Sequence, residues 1–293
     1  MVRRHELTDE QWQVIQPLLP VSGAKGRPRV DDRRVINGML FKAKTGVAWR
    51  DLPERYGPWK TVYNRFWRWS RTGTLSALVA QVRVIAEAID ELDREVSVDS
   101  SIVRAHQHAA GARRATASHT GGERILRRAN EPGDHAIGRS RGGPTTKIHL
   151  ACDGHGRPLS IVLTGGNVND CTQFIQVMAG IEFRRPGPGR PATRPSRVLA
   201  DKGYSSRAIR SYLRRRRIPA TIPERRDQQA NRRRRGRAGG RPPAFDRTAY
   251  RRRNIVERCF NRLKQFRAIA TRFDKTATSY RSMIDLATLL LWL

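Results

Sequence analysis

The sequence predicts a mixed α/β fold, an α+β arrangement in which a small helical domain precedes a mixed β-sheet with helices packed against it. Apolar residues recur at helical spacing up to residue 94, whereas EVSVDSSIVRA, from residue 95, alternates and is rich in β-branched residues, as strands are. Beyond that point strands and helices alternate along the chain, which favours a sheet covered by helices. We therefore expect two domains, residues 1–94 and 95–293.

The composition indicates a polyanionic partner. The chain of 293 residues has a formal net charge of +32, from 58 Lys and Arg against 26 Asp and Glu, and its 38% of hydrophobic residues suits a folded core. Such an excess of one sign repels itself in a compact state, and Arg suits bidentate phosphate contacts. A generally arginine-rich surface would explain part of the excess, but hardly most of it. Nucleic acid is the expected partner.

Several function classes are disfavoured by what the sequence lacks. Its cysteines, Cys152, Cys171 and Cys259, form no CxxC pair, which argues against a disulfide framework and a zinc site. The N-terminus lacks the apolar core of a signal peptide, and no apolar run reaches the ~20 residues that span a bilayer. We expect a cytoplasmic, nucleoid-associated protein that does not bind a membrane.

Capping signals predict the helices of the N-terminal domain. Thr8 and Gln11 form a capping box before the first helix, and Asp31 or Asp32 caps a second helix that ends at Gly46. A further helix is predicted from Trp59 to about residue 71, after a turn at Gly57-Pro58. These signals give a compact helical unit before the first strand.

The helix that begins at Trp59 has an apolar side and a basic side. Val62, Phe66 and Trp69 point one way, and the following residues point elsewhere: Lys60, Asn64, Arg65, Arg68 and Arg71. This pattern fits a helix-turn-helix whose second helix faces DNA, with Lys60, Arg65 and Arg68 as contacts. An ordinary helical bundle with a solvated basic face fits the pattern equally well.

The second domain is predicted to begin with three strands. EVSVDSSIVRA is followed by a hairpin, TKIHLACDGHGRPLSIVLTGG, that turns at Asp153-Gly154. The order then continues with helix DCTQFIQVMAGI, strand SRVLADKGY, helix SSRAIRSYLRRRR, short strand IPATIP and a basic helix at 248–270. Two segments rich in Gly and Arg, 107–145 and 225–247, are predicted to be basic, flexible loops that are mobile without DNA.

Three acidic residues stand out in this basic chain. Asp99 lies in the middle of the first strand and Asp201 ends the strand VLAD, where an isolated carboxylate is costly to bury. With Glu257 brought close by a helix, two such aspartates would form an oxygen site suited to Mg²⁺ or Mn²⁺. The alternatives are that Asp99 caps a turn, that Asp201 pairs with Lys202 or an Arg, and that Glu257 forms a solvated pair with Arg253.

The basic helix has a mixed edge beside its apolar face. At about 100° per residue, Tyr250, Arg253, Glu257 and Lys264 fall within roughly 60° of one another. Val256, Phe260 and their apolar neighbours form the adjoining face, which is predicted to pack on the sheet. A surface ion pair alone would not explain the Tyr and the Lys on this edge.

These residues resemble a known family. Their spacing, Y-(2)-R-(3)-E-(6)-K, matches the signature of IS4/IS5-type DDE transposases, and VDSSIVRAHQHAAGARR, GRSRGGPTTKIHLACDGHGRPL and VLADKGYSS are similar to the IS5-family regions around the first Asp, the second strand and the second Asp. The N-terminal stretch GVAWRDLPERYGPWKTVYNRFWRW is similar to the domain before the catalytic core in that family. The resemblance implies an RNase H-like catalytic domain and a triad of Asp99, Asp201 and Glu257. It also implies that Arg253 and Lys264 contact the transposon ends, with Tyr250 at the aromatic position of the motif.

The resemblance further implies a function. A transposase of this kind would bind the terminal inverted repeats of its insertion sequence, cleave the ends and join the 3′-OH to target DNA. Mg²⁺ is the expected cofactor, with Mn²⁺ able to substitute, bound by the same triad. Double-stranded DNA, as ends and as target, is the expected partner of a homodimer or higher oligomer. The alternatives are an RNase H-like nuclease without strand transfer and a domesticated DNA-binding regulator.

Other polar residues give weaker signals. Three histidines lie in a Gly/Ala/Arg-rich segment without zinc spacing and are predicted to contact substrate or solvent: His106, His108 and His119. Asn167 and Asp170 are predicted to form a loop and cap the following helix, with a supporting role near the metals as the alternative. Lys147 and His149 alternate on the second strand and face either the active site or the outer side of the sheet.

Overall fold

A computed structural model describes residues 4–20, 29–89, 91–112 and 131–293 of the chain. The N-terminal helices are α1 (Asp9–Ile15), α2 (Asp32–Thr45), α3 (Trp59–Thr72) and α4 (Thr74–Ala88). The sheet is built from β1 (Glu95–Ala105), β2 (Gly138–Ser140), β3 (Gly143–Cys152), β4 (Pro158–Gly165), β5 (Arg197–Ala200), β6 (Ala220–Thr221) and β7 (Thr271–Arg272). The remaining helices are α5 (Gln107–Ala110), α6 (Asp170–Ala179), α7 (Arg207–Arg215), α8 (Arg226–Arg234), α9 (Arg247–Arg252), α10 (Asn254–Lys264), α11 (Arg267–Ala270) and α12 (Ala277–Trp292).

The sheet is mixed, as the alternation of strands and helices predicts. β1, β3 and β4 are antiparallel neighbours, and β5 and β6 continue the sheet in parallel on the other side of β1. Short strands extend it: β2 pairs with the start of β3, and β7 pairs with the end of β1. An antiparallel three-stranded unit followed by parallel strands with helical crossovers is the RNase H-like arrangement. The predicted fold class is confirmed.

The local signals in the N-terminal region are also confirmed. Thr8 and Gln11 form the predicted capping box, and Asp31, rather than Asp32, caps α2 through the N–H of Arg34 at 2.8 Å. α2 ends at Gly46, whose φ of 73° is left-handed and favours glycine. Short local contacts decide these boundaries, so they can be identified in the sequence.

The C-terminal helix, α12, is absent from the predicted order of elements. Met283, Leu286 and Leu289 are buried in it, and it packs against α2, α3 and α4 as well as β4. The N-terminal helices and the sheet therefore share one continuous apolar core with α12 between them. The division into domains at residues 94 and 95 stays a prediction.

The segment at 225–247 is not the loop that the sequence predicts. It contains α8 and a further single-turn helix, Gly236–Gly239. Gln228 holds α8 in place, because its side chain accepts a hydrogen bond from Ser205 Oγ at 2.7 Å and donates one to the Ser205 carbonyl. Arg232 also pairs with Glu224. These contacts are non-local, which is why the Arg-rich composition gives no sign of them.

The segment at 107–145 differs from its prediction at both ends. It begins with α5 and ends with β2 and the first residues of β3, so strand pairing starts earlier than the sequence indicates. Residues 113–130 lie outside the described part of the chain. The predicted mobility of the two loops therefore stays a prediction.

The single basic helix predicted at 248–270 is divided into three shorter helices in the structure. α9 ends at Arg252, α10 begins at Asn254, and Phe266 adopts an extended conformation before α11. Phe266 is 2% exposed, so the break turns its ring into the core. The described helices include none that is long and apolar enough to cross a bilayer.

Candidate active site

Asp99 and Asp201 lie side by side on neighbouring strands. β1 and β5 run parallel with Val98 opposite Ala200, so the next residue of each chain segment is an aspartate. Asp99 accepts a hydrogen bond from the N–H of Ser100 at 2.8 Å, and Asp201 accepts one from the N–H of Gly203 at 2.9 Å. The sheet therefore fixes the two carboxylates at the same level, as the sequence predicts for adjacent strands.

Glu257 is linked to Asp99 through Arg253. The guanidinium of Arg253 donates one hydrogen bond to Asp99 Oδ2 and another to Glu257 Oε1, both at 2.8 Å. The side chain of Glu257 is 54% exposed, against 21% for Asp99. The i,i+4 pair of Arg253 and Glu257 exists, as the local alternative predicts, but the same guanidinium also binds Asp99 on the sheet. The three acidic residues therefore converge on one place.

Asp99 has an unusual electrostatic environment. Burial raises its pKa to about 6, and the N–H of Ser100 and the guanidinium of Arg253 counteract only part of that effect. The carboxylates of Asp201 and Glu257 raise the pKa further because all three carry like charge. A cluster of acidic groups that repel one another is a site that a cation would stabilise.

Asp99 should destabilise the folded protein at neutral pH. Its folded pKa lies above the unfolded value, so its stabilising contribution is complete below about pH 4 and is lost as the pH rises through about 6. Asp99→Asn is uncharged throughout, so the variant should gain up to about 3 kcal/mol over the wild type between pH 4 and pH 8. Denaturant unfolding of both proteins in chelator-containing buffer measures this difference. An unchanged difference across that range would contradict the raised pKa.

The donor set suits a divalent metal ion, but the arrangement is not that of a closed metal site. Carboxylate oxygens are the ligands that Mg²⁺ and Mn²⁺ prefer. Within the described residues, no three acidic, histidine or cysteine side chains are already arranged to hold an ion. The reason is visible at Arg253, whose guanidinium lies between Asp99 and Glu257. Arg253 therefore occupies one oxygen of Asp99 and one of Glu257 that a shared ion could otherwise use.

Lys264 and Tyr250 occupy the remaining positions of the predicted edge. Lys264 Nζ donates a hydrogen bond to Ser101 Oγ at 2.6 Å, which places the ammonium two residues along β1 from Asp99. Tyr250 packs against Phe245, with their ring centroids 5.2 Å apart. The edge therefore lies along β1, although the helix that carries it is broken at Arg253.

Tyr204 is a neighbour of the acidic residues that the sequence analysis missed. It is 2% exposed, and burial together with the carboxylates of Asp99, Asp170 and Asp201 raises its pKa well above the usual range. The phenol is therefore neutral beside the acidic residues. Its only signal in the sequence is its position three residues after Asp201.

Lys147 and His149 belong to the other face of the sheet. His149 is opposite Ser100 and Lys147 is opposite Ile102, so both side chains share the face that Asp99 does not occupy. Lys147 pairs with Asp170 at 2.9 Å and donates to the Val168 carbonyl at 2.6 Å. Burial lowers the pKa of His149 to about 4, so its ring is neutral at pH 7. These residues attach α6 to the sheet.

The structure corrects the prediction of which residue caps α6. Asn169, and not Asn167 or Asp170, accepts the hydrogen bond from the N–H of Cys171 that caps the helix. Asp170 is the first residue of the helix, where its charge suits the helix dipole and its side chain is available to Lys147. The prediction named Asn167 and Asp170, and the backbone conformation places the cap at Asn169, between them.

The predicted DNA contacts on α3 differ in exposure. Lys60 and Arg68 are exposed, as the amphipathic pattern predicts. Arg65 was predicted on the exposed side, and this is wrong: it is 8% exposed, pairs with Asp32 and lies 5.6 Å from the ring of Trp69. The acidic partner on α2 draws Arg65 into the helix interface, which does not present it to DNA.

The histidines near the end of β1 do not form a metal cluster in the described residues. The rings of His106 and His108 are 4.5 Å apart, and His106 packs on Phe273. Both line a cavity at the far end of β1 from the acidic residues. His119 lies outside the described residues.

Two family models, both described as transposases, match the chain. A family model described as a putative transposase of the IS4/5 family matches residues 7–79, and one described as a transposase DDE domain matches residues 90–292. Uncharacterized protein y4sN of Sinorhizobium fredii is 46% identical over 112 residues, 37% of this chain and 84% of that protein.

Two relatives carry transposase names. The putative transposase for insertion sequence element IS402 of Burkholderia cepacia is 34% identical over 50% of this chain and 62% of its own length. The putative transposase for IS6501 of Brucella ovis is 30% identical over 51% of this chain and 98% of its own length. Among solved structures, the Mos1 strand transfer complex is 14% identical, covers 93% of this chain and 79% of its own, and gives a TM-score of 0.26. That score is too low to assign a fold, which follows here from the strand order.

Proposed function

The chain belongs to the DDE transposases of insertion sequences, and from that membership we propose that it binds the terminal inverted repeats of its own element, cleaves at these ends and joins the freed 3′-OH to target DNA. The observation that carries the proposal is the convergence of Asp99, Asp201 and Glu257 beside Arg253. The site of action would be chromosomal DNA in the nucleoid.

The three carboxylates have distinct positions and therefore distinct tasks. Asp99 and Asp201 are fixed by the sheet and would hold Mg²⁺, with Mn²⁺ able to replace it, while Glu257 on α10 would complete the ligand set. Bound there, the divalent metal would activate the attacking oxygen and stabilise the leaving oxygen of a phosphodiester. The exposed carboxylate of Glu257 leaves this side open to DNA.

Arg253 would exchange its carboxylate partners for phosphate. Its guanidinium now neutralises Asp99 and Glu257, and it has the planar donors that bind phosphate oxygens in pairs. A cation at the carboxylates would take over their neutralisation and free Arg253 for the backbone of the transposon end. Lys264, beside Ser101, would contact the same backbone further along β1.

Exposed basic residues outside the site would supply the remaining DNA contacts. Lys60 and Arg68 are available on α3, and α8 with the residues after it presents further arginines to solvent. Pairing two ends before joining requires more than one protomer, so a homodimer or a higher oligomer on DNA is proposed.

Joining of pre-cut ends distinguishes this proposal from its alternatives. Duplexes that carry the DNA flanking its own gene, cut to expose the 3′-OH, should be inserted into a plasmid in the presence of Mg²⁺. Binding should weaken steeply with salt, because each neutralised phosphate releases counterions. Cleavage without insertion would indicate a nuclease, and binding without either reaction would indicate a regulator.

A further inference from the structure

A cavity lies between the N-terminal helices and the end of β1, lined in part by Asp274 and away from Asp99, Asp201 and Glu257. Its volume is about 540 Å³, within the range of roughly 300–1,000 Å³ for ligand sites. One wall comes from α2, α3 and the turn between residues 46 and 49, and the other from the segments that follow β1 and β7. Both the helical region and the sheet therefore contribute to it.

The cavity is lined by aromatic rings. Trp49, Tyr63, Trp67 and Phe273 contribute to its walls, and Trp49 contacts Tyr63 edge to face at 5.5 Å. Tyr63 and Trp67 are 36% and 41% exposed, so part of each ring is open to solvent at the cavity. Exposed rings in a concave site suit a flat, stacking ligand.

A buried cation supplies the polar part of the cavity. Lys42 is 4% exposed and lines the cavity with its ammonium 5.3 Å from the ring of Phe273 and 5.9 Å from that of Trp49. Within the described residues, its ammonium makes no hydrogen bond and no ion pair within 4 Å, although the charge of Asp274 favours it. In the part of the chain that the structure describes, the Lys42 ammonium is thus held near aromatic rings and Asp274 without a direct hydrogen bond. An acceptor oxygen or ring nitrogen of a ligand would give it that hydrogen bond.

We propose that this cavity binds an unpaired base of the DNA substrate, stacked on Trp67 and Tyr63, with Lys42 reaching an acceptor of the same nucleotide. A paired base presents no free face to aromatic rings, so it must leave the duplex to stack here. His106 and His108 at the cavity wall add hydrogen-bonding groups suited to a nucleotide. The proposal rests on the proposed function, because only a DNA substrate brings such a base to this surface.

The distance between the cavity and Asp99 indicates what a base bound in the cavity would do. His106 is seven residues along β1 from Asp99, which corresponds to about 23 Å at roughly 3.3 Å per residue. A base held in the cavity would thus lie well away from the reacting phosphodiester. The base would therefore contribute to holding the DNA rather than to the chemical step.

A duplex with one unpaired nucleotide tests the proposal without requiring a recognised end. The full chain should bind such a bulged duplex about tenfold more tightly than the fully paired duplex of the same sequence. An abasic nucleotide at the bulge should abolish the preference, because bending at a bulge persists while the stacking base is gone. Trp67→Ala should abolish it as well, and Trp67→Phe should retain much of it.

Matched lysine variants provide the control. Lys42→Met should lose the preference, whereas Lys44→Met should keep it, because Lys44 is on the same helix but lies over Phe266 outside the cavity. Thermal unfolding of each variant shows whether it is folded. Equal binding of bulged and paired duplexes by the wild type, or a preference that survives in folded Trp67→Ala, would overturn the proposal. Selectivity for the element's ends is measured separately on fully paired DNA. Loss of that selectivity would contradict the proposed function, whereas loss of the preference for the bulged duplex would contradict the proposal for the cavity.

Discussion

Replacing Asp99 or Asp201 by Asn, or Glu257 by Gln, will reduce DNA cleavage by about a thousandfold or more while binding of the element's ends stays near that of the wild type. Each amide keeps the shape of the side chain but removes the negative charge that would hold the proposed cation, which would contribute several kcal/mol to stabilising the transition state. The three losses should be similar, because the carboxylates act as one ligand set. Cleavage and gel-shift assays on the same DNA measure both quantities.

Glu182→Gln is the control for these variants. Glu182 has a half-exposed side chain that pairs with Arg184 at 3.3 Å and takes no part in the convergence of acidic groups. The control should cleave like the wild type. Wild-type cleavage by purified Glu257→Gln would remove Glu257 from the site, and loss of end binding in all three variants would point to a structural role instead.

Arg272→Met should lower the free energy of unfolding by about 3–5 kcal/mol. Arg272 is wholly buried, and it donates to the carbonyls of Asp274, His135 and Lys275 and to Thr146 Oγ1, the last at 2.6 Å. Methionine fills similar space but leaves these acceptors without their donor. Denaturant titration followed by circular dichroism measures the loss.

Arg184→Met is the control for the loss of stability in Arg272→Met. Arg184 has a side chain that is 59% exposed, so Arg184→Met should change the free energy of unfolding by less than about 0.5 kcal/mol. A similar small change in Arg272→Met would show that the buried hydrogen bonds are replaced by water at little cost.

Local patterns in the sequence explain why the sheet and the adjacency of Asp99 and Asp201 could be predicted. Alternation identified β1, β3 and β4. Asp99 within β1 and Asp201 at the end of β5 lie side by side because these two strands pair in parallel, whatever the helices do. The capping box at Thr8, the Asp31 cap and Gly46 are equally local. Such features depend on the conformation of a few consecutive residues.

Long-range contacts explain what could not be predicted. Arg65 has the spacing of an exposed residue, and only Asp32, 33 residues earlier in the chain, makes it a buried one. α8 depends on Ser205, and the role of Arg253 as a bridge depends on Asp99, 154 residues away. Arg253 is the instructive case, because the spacing of its motif predicts a DNA contact and the free protein uses it to neutralise two acidic residues.

The claim that Asp99, Asp201 and Glu257 form the metal site is tested most directly by mapping the bound metal with iron. Fe²⁺ bound at a metal site in place of Mg²⁺ reduces added hydrogen peroxide to hydroxyl radicals, with ascorbate restoring Fe²⁺, and the radicals cut the polypeptide nearby at positions that mass spectrometry can identify. The convergence of Asp99, Asp201 and Glu257 predicts cuts next to these three residues, competed by Mn²⁺ and absent from Asp99→Asn and Asp201→Asn. Cuts elsewhere in the chain, or the same cuts in both variants, would contradict the assignment of these carboxylates as the metal site.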